Sequence, residues 1–204
     1  MGPILGLILA GGLGRRMGGM DKPLLPLAGR PLLARVAERL APQCPAGLAL
    51  SANGDPARFA PAFTGPVLPD PLPDRPGPLA GVLAGLEHCA AERPAVTHVL
   101  CVPGDAPFLP ADLAARLAAA LAAAPIARAA SGGRAHHTVA LWPVALRAEL
   151  RAALAGGERR VGAVLARHGA ATVAWPVAAC DPFLNVNAPE DLAAAERALT
   201  SGAG

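Results

Sequence analysis

The chain has no tyrosine, and aromatic residues make up only 3% of its 204 positions. So few rings leave little on which nucleic-acid bases could stack, and a formal net charge of +3 is too small for a phosphate-backbone footprint. Nucleic acid is therefore not an expected partner. Charge is scarce as well: 16% of residues are charged, against roughly 25% in an average soluble domain, while 53% are hydrophobic, which excludes a disordered chain. Long hydrophobic runs are missing too. Much of the apolar content is alanine, and no stretch reaches ~18 large apolar residues without interruption, so no membrane span is expected. The first residues lack the basic segment, long apolar stretch and cleavage site of a secretory signal, and the expected location is the cytoplasm. Cysteine is sparse and scattered. Cys44, Cys89, Cys101 and Cys180 form neither CxxC pairs nor a His/Cys cluster at zinc-ligand spacing, and buried free thiols are expected.

What is present alternates. Apolar runs at Ile4–Leu9, Leu48–Ser51, Val67–Leu68 and Val96–Val102 read as buried strands, and Pro31–Leu40, Gly81–Ala91 and the segment after Pro110 read as helices between them. Beyond residue 125 shorter strands are expected around 126–129, 138–141 and 171–175, with helices around 144–154, 161–167 and 189–199. This order predicts a Rossmann-like α/β fold of three layers, a mostly parallel central sheet with helices on both faces. In such sheets ligands bind beyond the carboxyl ends of the strands. The candidates are accordingly Ala10 to Lys22, Asn53, Asp70 and Asp105. The proline-rich stretch Pro66–Pro78 cannot be a regular helix and is expected as an ordered loop at the edge of the site.

The most informative segment is LAGGLGRRMGGMDKPLLPLAGRPLL, Leu9 to Leu33. Five glycines within eleven residues let the backbone approach a ligand and aim successive N–H groups at an anion, and Arg15, Arg16 and Lys22 supply cations. This is a phosphate-binding loop directly after a buried strand. It is not a Walker loop, since no Gly-Lys-Ser/Thr follows, and the dinucleotide fingerprint fails because Met17 stands where the third glycine belongs. Asp105 follows an apolar strand, where a carboxylate serves either a metal or the cap of the next helix; a later helix start is already marked by Pro110 and Asp112. Asn185 and Asn187 alternate along an extended segment before the last helix, and Asn187 could equally cap that helix. Adjacent His136 and His137 point apart on any regular element and cannot share a metal; they are expected at the surface or at a pocket rim. Arg159 and Arg160 are either phosphate contacts or a solvated pair.

These blocks together carry a resemblance. LAGG, RRMGG and DKPLLPLAGRPLL, followed in order by PGPLAG (Pro76–Gly81), PGDAPFLPADLAARL (Pro103–Leu117), GERRV (Gly157–Val161) and FLNVNAPEDL (Phe183–Leu192), resemble the nucleotidyltransferases that modify sugar phosphates, cholines and the molybdopterin cofactor. The wording LAGG with RRMGG is most similar to the molybdenum cofactor guanylyltransferase family. The resemblance covers nearly the whole chain. It implies a fold of the nucleotide-diphospho-sugar transferase type, one domain over residues 1–204 with a flexible tail in the last few, and transfer of GMP from GTP to the terminal phosphate of molybdenum-molybdopterin.

By the same resemblance, Arg16, Lys22 and Asp105 are the catalytic residues. Leu9, Ala10, Gly11, Gly12, Lys22, Asn53, Asp70 and Asp105 bind the nucleotide; Arg16, Gly19, Gly77, Asn185 and Asn187 face the acceptor; and Asp105 holds Mg²⁺, with a metal role left open for Asn187. Cofactor-delivery proteins and apo-molybdoenzymes are the partners it suggests. Two rivals remain: a cytidylyl- or sugar-phosphate nucleotidyltransferase on the same fold, against which LAGG and PGPLAG count, and a non-catalytic chaperone that carries finished cofactor. The lack of tyrosine removes stacking partners for a pterin without touching the phosphate loop.

Overall fold

The structure is a computed structural model that describes residues 2–11, 21–72 and 77–200. Gly12, Arg15, Arg16 and Gly19 lie outside the described residues, as do residues 73–76 of the proline-rich stretch and the tail 201–204.

The elements run β1 (Ile4–Leu9), β2 (Pro26–Leu27), β3 (Arg30–Pro31), α1 (Leu32–Leu40), β4 (Leu48–Ser51), β5 (Val67–Leu68), α2 (Pro78–Glu92), β6 (His98–Pro103), α3 (Leu113–Ala120), β7 (Ile126–Ser131), β8 (Arg134–Pro143), α4 (Arg147–Ala155), α5 (Val161–His168), β9 (Ala170–Trp175) and α6 (Pro189–Thr200). Seven strands form one sheet in the order β5-β4-β1-β6-β8-β7-β9. All pairings are parallel except the two made by β8, which runs against β6 on one side and β7 on the other. The mostly parallel three-layer α/β sandwich expected from the sequence is therefore present, with one reversed strand inside it. That reversal follows from the turn Ser131–Gly132–Gly133–Arg134, where both glycines have positive φ, as a tight hairpin demands.

Strand alternation divides the core in two. Ile4 and Ile8 of β1 with Leu100 and Val102 of β6 face α1 and α3, while Leu5, Leu7, Val99 and Cys101 face α2, α4 and α5. Helix α2 lies close to the sheet because Gly81 leaves room: a Cβ there would stand 2.5 Å from Ser51 Oγ and 2.9 Å from a methyl of Leu9. Glycine in PGPLAG thus sets the depth of the helix behind the first two strand ends. A third, smaller cluster joins the β2–β3 hairpin (Leu25, Leu27, Leu32) to Phe108, Val186 and α6 (Ala195, Ala198). Through it α6 is packed against the hairpin that follows the glycine-rich segment. No described helix is long and apolar enough to cross a membrane.

Candidate active site

The strands β1, β4, β5 and β6 end on one edge of the sheet, and the described candidates gather there because their strands are neighbours. Ala10 N donates to Ser51 O at 2.9 Å and Gly104 N to Leu9 O at 3.0 Å, so the backbone ladder continues past the strands and ties the start of the glycine loop to the ends of β4 and β6. Leu9, Ala10 and Gly11 thus leave the sheet at its centre. Lys22 opens a single turn of 3₁₀ helix, Lys22–Leu24, with Pro23 in it. Arg35 on α1 holds the hairpin below by donating from Nε and Nη2 to Leu27 O at 3.0 and 2.8 Å.

Lys22 Nζ donates to Asn187 Oδ1 at 2.7 Å. Val186 N donates to Asp105 O at 2.9 Å, so the NVN segment lies along the end of β6. The alternation expected of this segment is present: Val186 is fully buried between half-buried Asn185 and exposed Asn187. Lys22, Asp105, Asn185 and Asn187 are brought together in this way although more than 160 residues separate the first from the last. Burial pushes the Asp105 carboxyl above the usual range; the Lys22 ammonium and its own backbone N–H pull it down, and Asp191 pushes it further up. A carboxylate desolvated beside one lysine is undercompensated and is a good receptor for further positive charge. The Asn185 Oδ1 atom is buried without a hydrogen-bond partner among the described residues.

Both capping alternatives are resolved. Asp105 is eight residues ahead of α3, whose N-cap position is Asp112, and so does not cap it. The start of α6 is capped by Asp191, whose Oδ2 accepts from Asn187 N at 2.8 Å and Ala188 N at 2.9 Å. That leaves the Asn187 side chain free to meet Lys22.

At the other end of the edge, Asn53 and Asp70 are bonded to each other. Asn53 Nδ2 donates to Asp70 Oδ2 at 2.7 Å, and Asp70 N donates to Asn53 Oδ1 at 2.9 Å. Both functional ends of the amide are spent on orienting the aspartate. Composition alone made these two ordinary turn residues; their pairing depends on β4 and β5 being adjacent. Gly77 stands at the N-terminus of α2 with φ 81°, a conformation that favours glycine.

One residue that sequence reasoning missed is Arg58. Its Nε lies 2.7 Å from Asp21 Oδ2, its Nη2 donates to Asn53 O at 2.7 Å, and its guanidinium stacks on the Phe59 ring at 4.4 Å. It links the residue before Lys22 to the Asn53 turn, and no local pattern around it could have signalled that. His136 is buried, contrary to the surface or rim position expected; His137, on the opposite face of β8, is exposed. Arg159 donates to Leu154 O and Glu158 O, and Arg160 pairs with Glu158 at 3.6 Å. Both border a cavity of about 770 Å³ between α4 and α5, together with Arg167 and His168, and none of the strand-end residues lines it.

A model of the MobA-like NTP transferase domain matches residues 6–172. The molybdenum cofactor guanylyltransferase of Bradyrhizobium sp. is 56% identical over 195 residues, covering 94% of this chain and 91% of its own. The crystal structure of molybdopterin-guanine dinucleotide biosynthesis protein A from Archaeoglobus fulgidus superposes with a TM-score of 0.74 at 22% identity, covering 97% of this chain and 99% of that one. A Mycobacterium tuberculosis protein solved in complex with manganese has a TM-score of 0.69 at 20% identity, covering 96% of this chain and 98% of that one. The two superpositions speak to the fold.

Proposed function

Since the chain belongs to the MobA-like NTP transferase family, we propose that it transfers GMP from GTP to the terminal phosphate of molybdenum-molybdopterin, releasing pyrophosphate and forming the guanine dinucleotide cofactor. The observation that carries this reading is the convergence of Lys22, Asp105 and Asn187 at the ends of β1 and β6, one strand away from the Asn53–Asp70 pair. In the reaction an acceptor phosphate oxygen attacks the α-phosphorus while the bond to pyrophosphate breaks, so the protein supplies position and positive charge and needs no nucleophile of its own. In this reading Lys22, joined by Arg16, neutralises charge on the α-phosphate and the leaving pyrophosphate. Leu9 to Gly12 cradle the nucleotide. Asp70, held by Asn53, accepts from the N1 and N2 donors of guanine or from ribose hydroxyls, because an ionised carboxylate can only accept. Gly19, Gly77, Asn185 and Asn187 face the acceptor.

Mg²⁺ fits this donor set. Asp105 is one desolvated carboxylate, and the Asn187 amide oxygen, which accepts from Lys22 here, belongs to the segment bonded to Asp105 through Val186 N. Among the described residues no group of three or more His, Cys, Asp or Glu could hold a metal by itself. A hard cation held by one carboxylate and substrate phosphates suits such a site. When bound, it would neutralise developing charge on the phosphates. The same reading takes residues 1–204 as one domain, supported by the continuous sheet, and places the enzyme in the cytoplasm, where it passes its product to delivery proteins and apo-molybdoenzymes.

The test is to incubate the protein with Mg²⁺, molybdopterin and each of the four NTPs in turn and to measure pyrophosphate. Release with GTP alone is expected. Release with CTP would make it a cytidylyltransferase, and no release with any nucleotide would leave a cofactor carrier.

A further inference from the structure

At the same edge of the sheet, but on β7 and β8, a polar chain runs through an otherwise apolar region. Ser131, the last residue of β7, is 2% exposed, and His136 of β8 is 9% exposed. Ser131 Oγ donates to Asp181 Oδ1 at 2.7 Å and lies 2.7 Å from His136 Nε2. The hydroxyl proton is committed to the carboxylate, so the histidine must donate from Nε2. The order His–Ser–Asp, with serine in the middle, differs from that of a nucleophilic triad, in which the histidine stands between serine and carboxylate.

The chain does not end in the sheet. Asp181 Oδ1 also accepts from Phe183 N at 2.9 Å. The Phe183 ring packs on His136 at 4.9 Å with the two planes tilted by 43°, and meets Trp175 edge-on at 5.4 Å. Three residues further on, Val186 N bonds Asp105 O, and the next residue, Asn187, accepts from Lys22. The segment carrying Asn185 and Asn187 is therefore held at both ends: by Asp105 and Lys22 on one side, and by His136, Ser131 and Asp181 on the other. Buried polar groups cost stability unless bonded, and bonded ones fix geometry.

We propose that Ser131, His136 and Asp181 are positioning residues that set Asn185 and Asn187 for the acceptor substrate. The inference rests on the functional reading above. It assigns no contact between the three residues and substrate; they act through the backbone of 183–187.

The test uses the full-length protein with Asp181→Ala, Ser131→Ala and Asp181→Asn. Asparagine keeps an oxygen that can accept from both Ser131 and Phe183, so it should rescue what alanine loses. Once wild-type turnover with GTP is established, both alanine variants should raise KM for molybdopterin about tenfold or more and leave KM for GTP within about twofold, with Asp181→Asn near wild type. Amide hydrogen exchange gives a readout independent of activity: the peptide spanning 183–187 should exchange about tenfold faster in Asp181→Ala while β1 and β6 keep their protection. An equal rise in both KM values, an unchanged KM for molybdopterin in the folded variants, or unchanged exchange in 183–187 would overturn the proposal. If wild type releases no pyrophosphate, the functional reading fails, and the exchange result still decides whether the chain holds the segment.

Discussion

Lys22 Nζ and Asn187 Oδ1 are 2.7 Å apart across 165 positions of sequence, which joins the 3₁₀ turn after the glycine-rich segment to the turn before α6. The bond is solvent-exposed, so its value lies in where it holds the two side chains.

A double-mutant cycle should show this. Lys22→Met is expected to lower kcat/KM by about 100-fold through the lost charge, and Asn187→Ala by about tenfold. The double variant should fall short of the product by a coupling of about 1 kcal/mol, because the residues act as a unit. Unfolding free energies of all three should stay within ~1 kcal/mol of wild type. Strict additivity in steady-state kinetics would separate the roles of the two residues.

Asp105→Asn should make the protein inactive and more stable. Burial raises the folded-state pKa of this carboxyl above its unfolded value, so the folded state holds the proton more tightly than the unfolded chain. Stability from this group therefore falls as pH rises through the window from the ordinary carboxylate pKa to the raised one. At pH 7 the asparagine variant should therefore unfold at a higher Tm than wild type. Well below the ordinary carboxylate pKa, where Asp105 is protonated in both states, the gain should vanish. Calorimetry at the two pH values measures it, and a loss of stability at pH 7 would contradict this balance.

The β2–β3 hairpin turns through Ala28 and Gly29 with φ of 47° and 75°. A turn with both central residues at positive φ favours Asn-Gly, and alanine there costs ~1 kcal/mol. Ala28→Asn should raise Tm by ~2–4 °C without altering KM for GTP. A lower Tm in thermal unfolding would show that alanine is not strained.

Burial pushes the Cys44 thiol up to about 12, Cys89 to about 11 and Cys101 higher still, the last with a further contribution from Cys89. None of the three carries appreciable thiolate at pH 8. Cys180 is partly exposed, its pKa raised first by burial and then by the Asp181 carboxylate. Iodoacetamide at pH 8 should modify Cys180 in the native protein, more slowly than a free thiol, and reach the others only in denaturant. Peptide mass mapping checks the order, and early labelling of Cys44 would contradict its burial.

Much of this protein was legible in its sequence because the signals are local. Buried parallel strands read as apolar runs, and strand ends nominate Asp105 without reference to any other part of the chain. The reversal of β8 is not carried by its apolar pattern, which a buried antiparallel strand shares with a parallel one, but by the Gly132–Gly133 turn ahead of it. Partners were hidden. Asn53 orients Asp70 only because β4 and β5 are neighbours, Arg58 reaches Asp21 across 37 positions of sequence, and His136 is buried where Ser131 and Phe183 meet it. What the sequence by itself determined is which residue types stand at strand ends, for that depends on spacing along the chain. Which of them meet was decided by strand order and helix packing, because side-chain hydrogen bonds act over about 3 Å and are indifferent to separation in sequence.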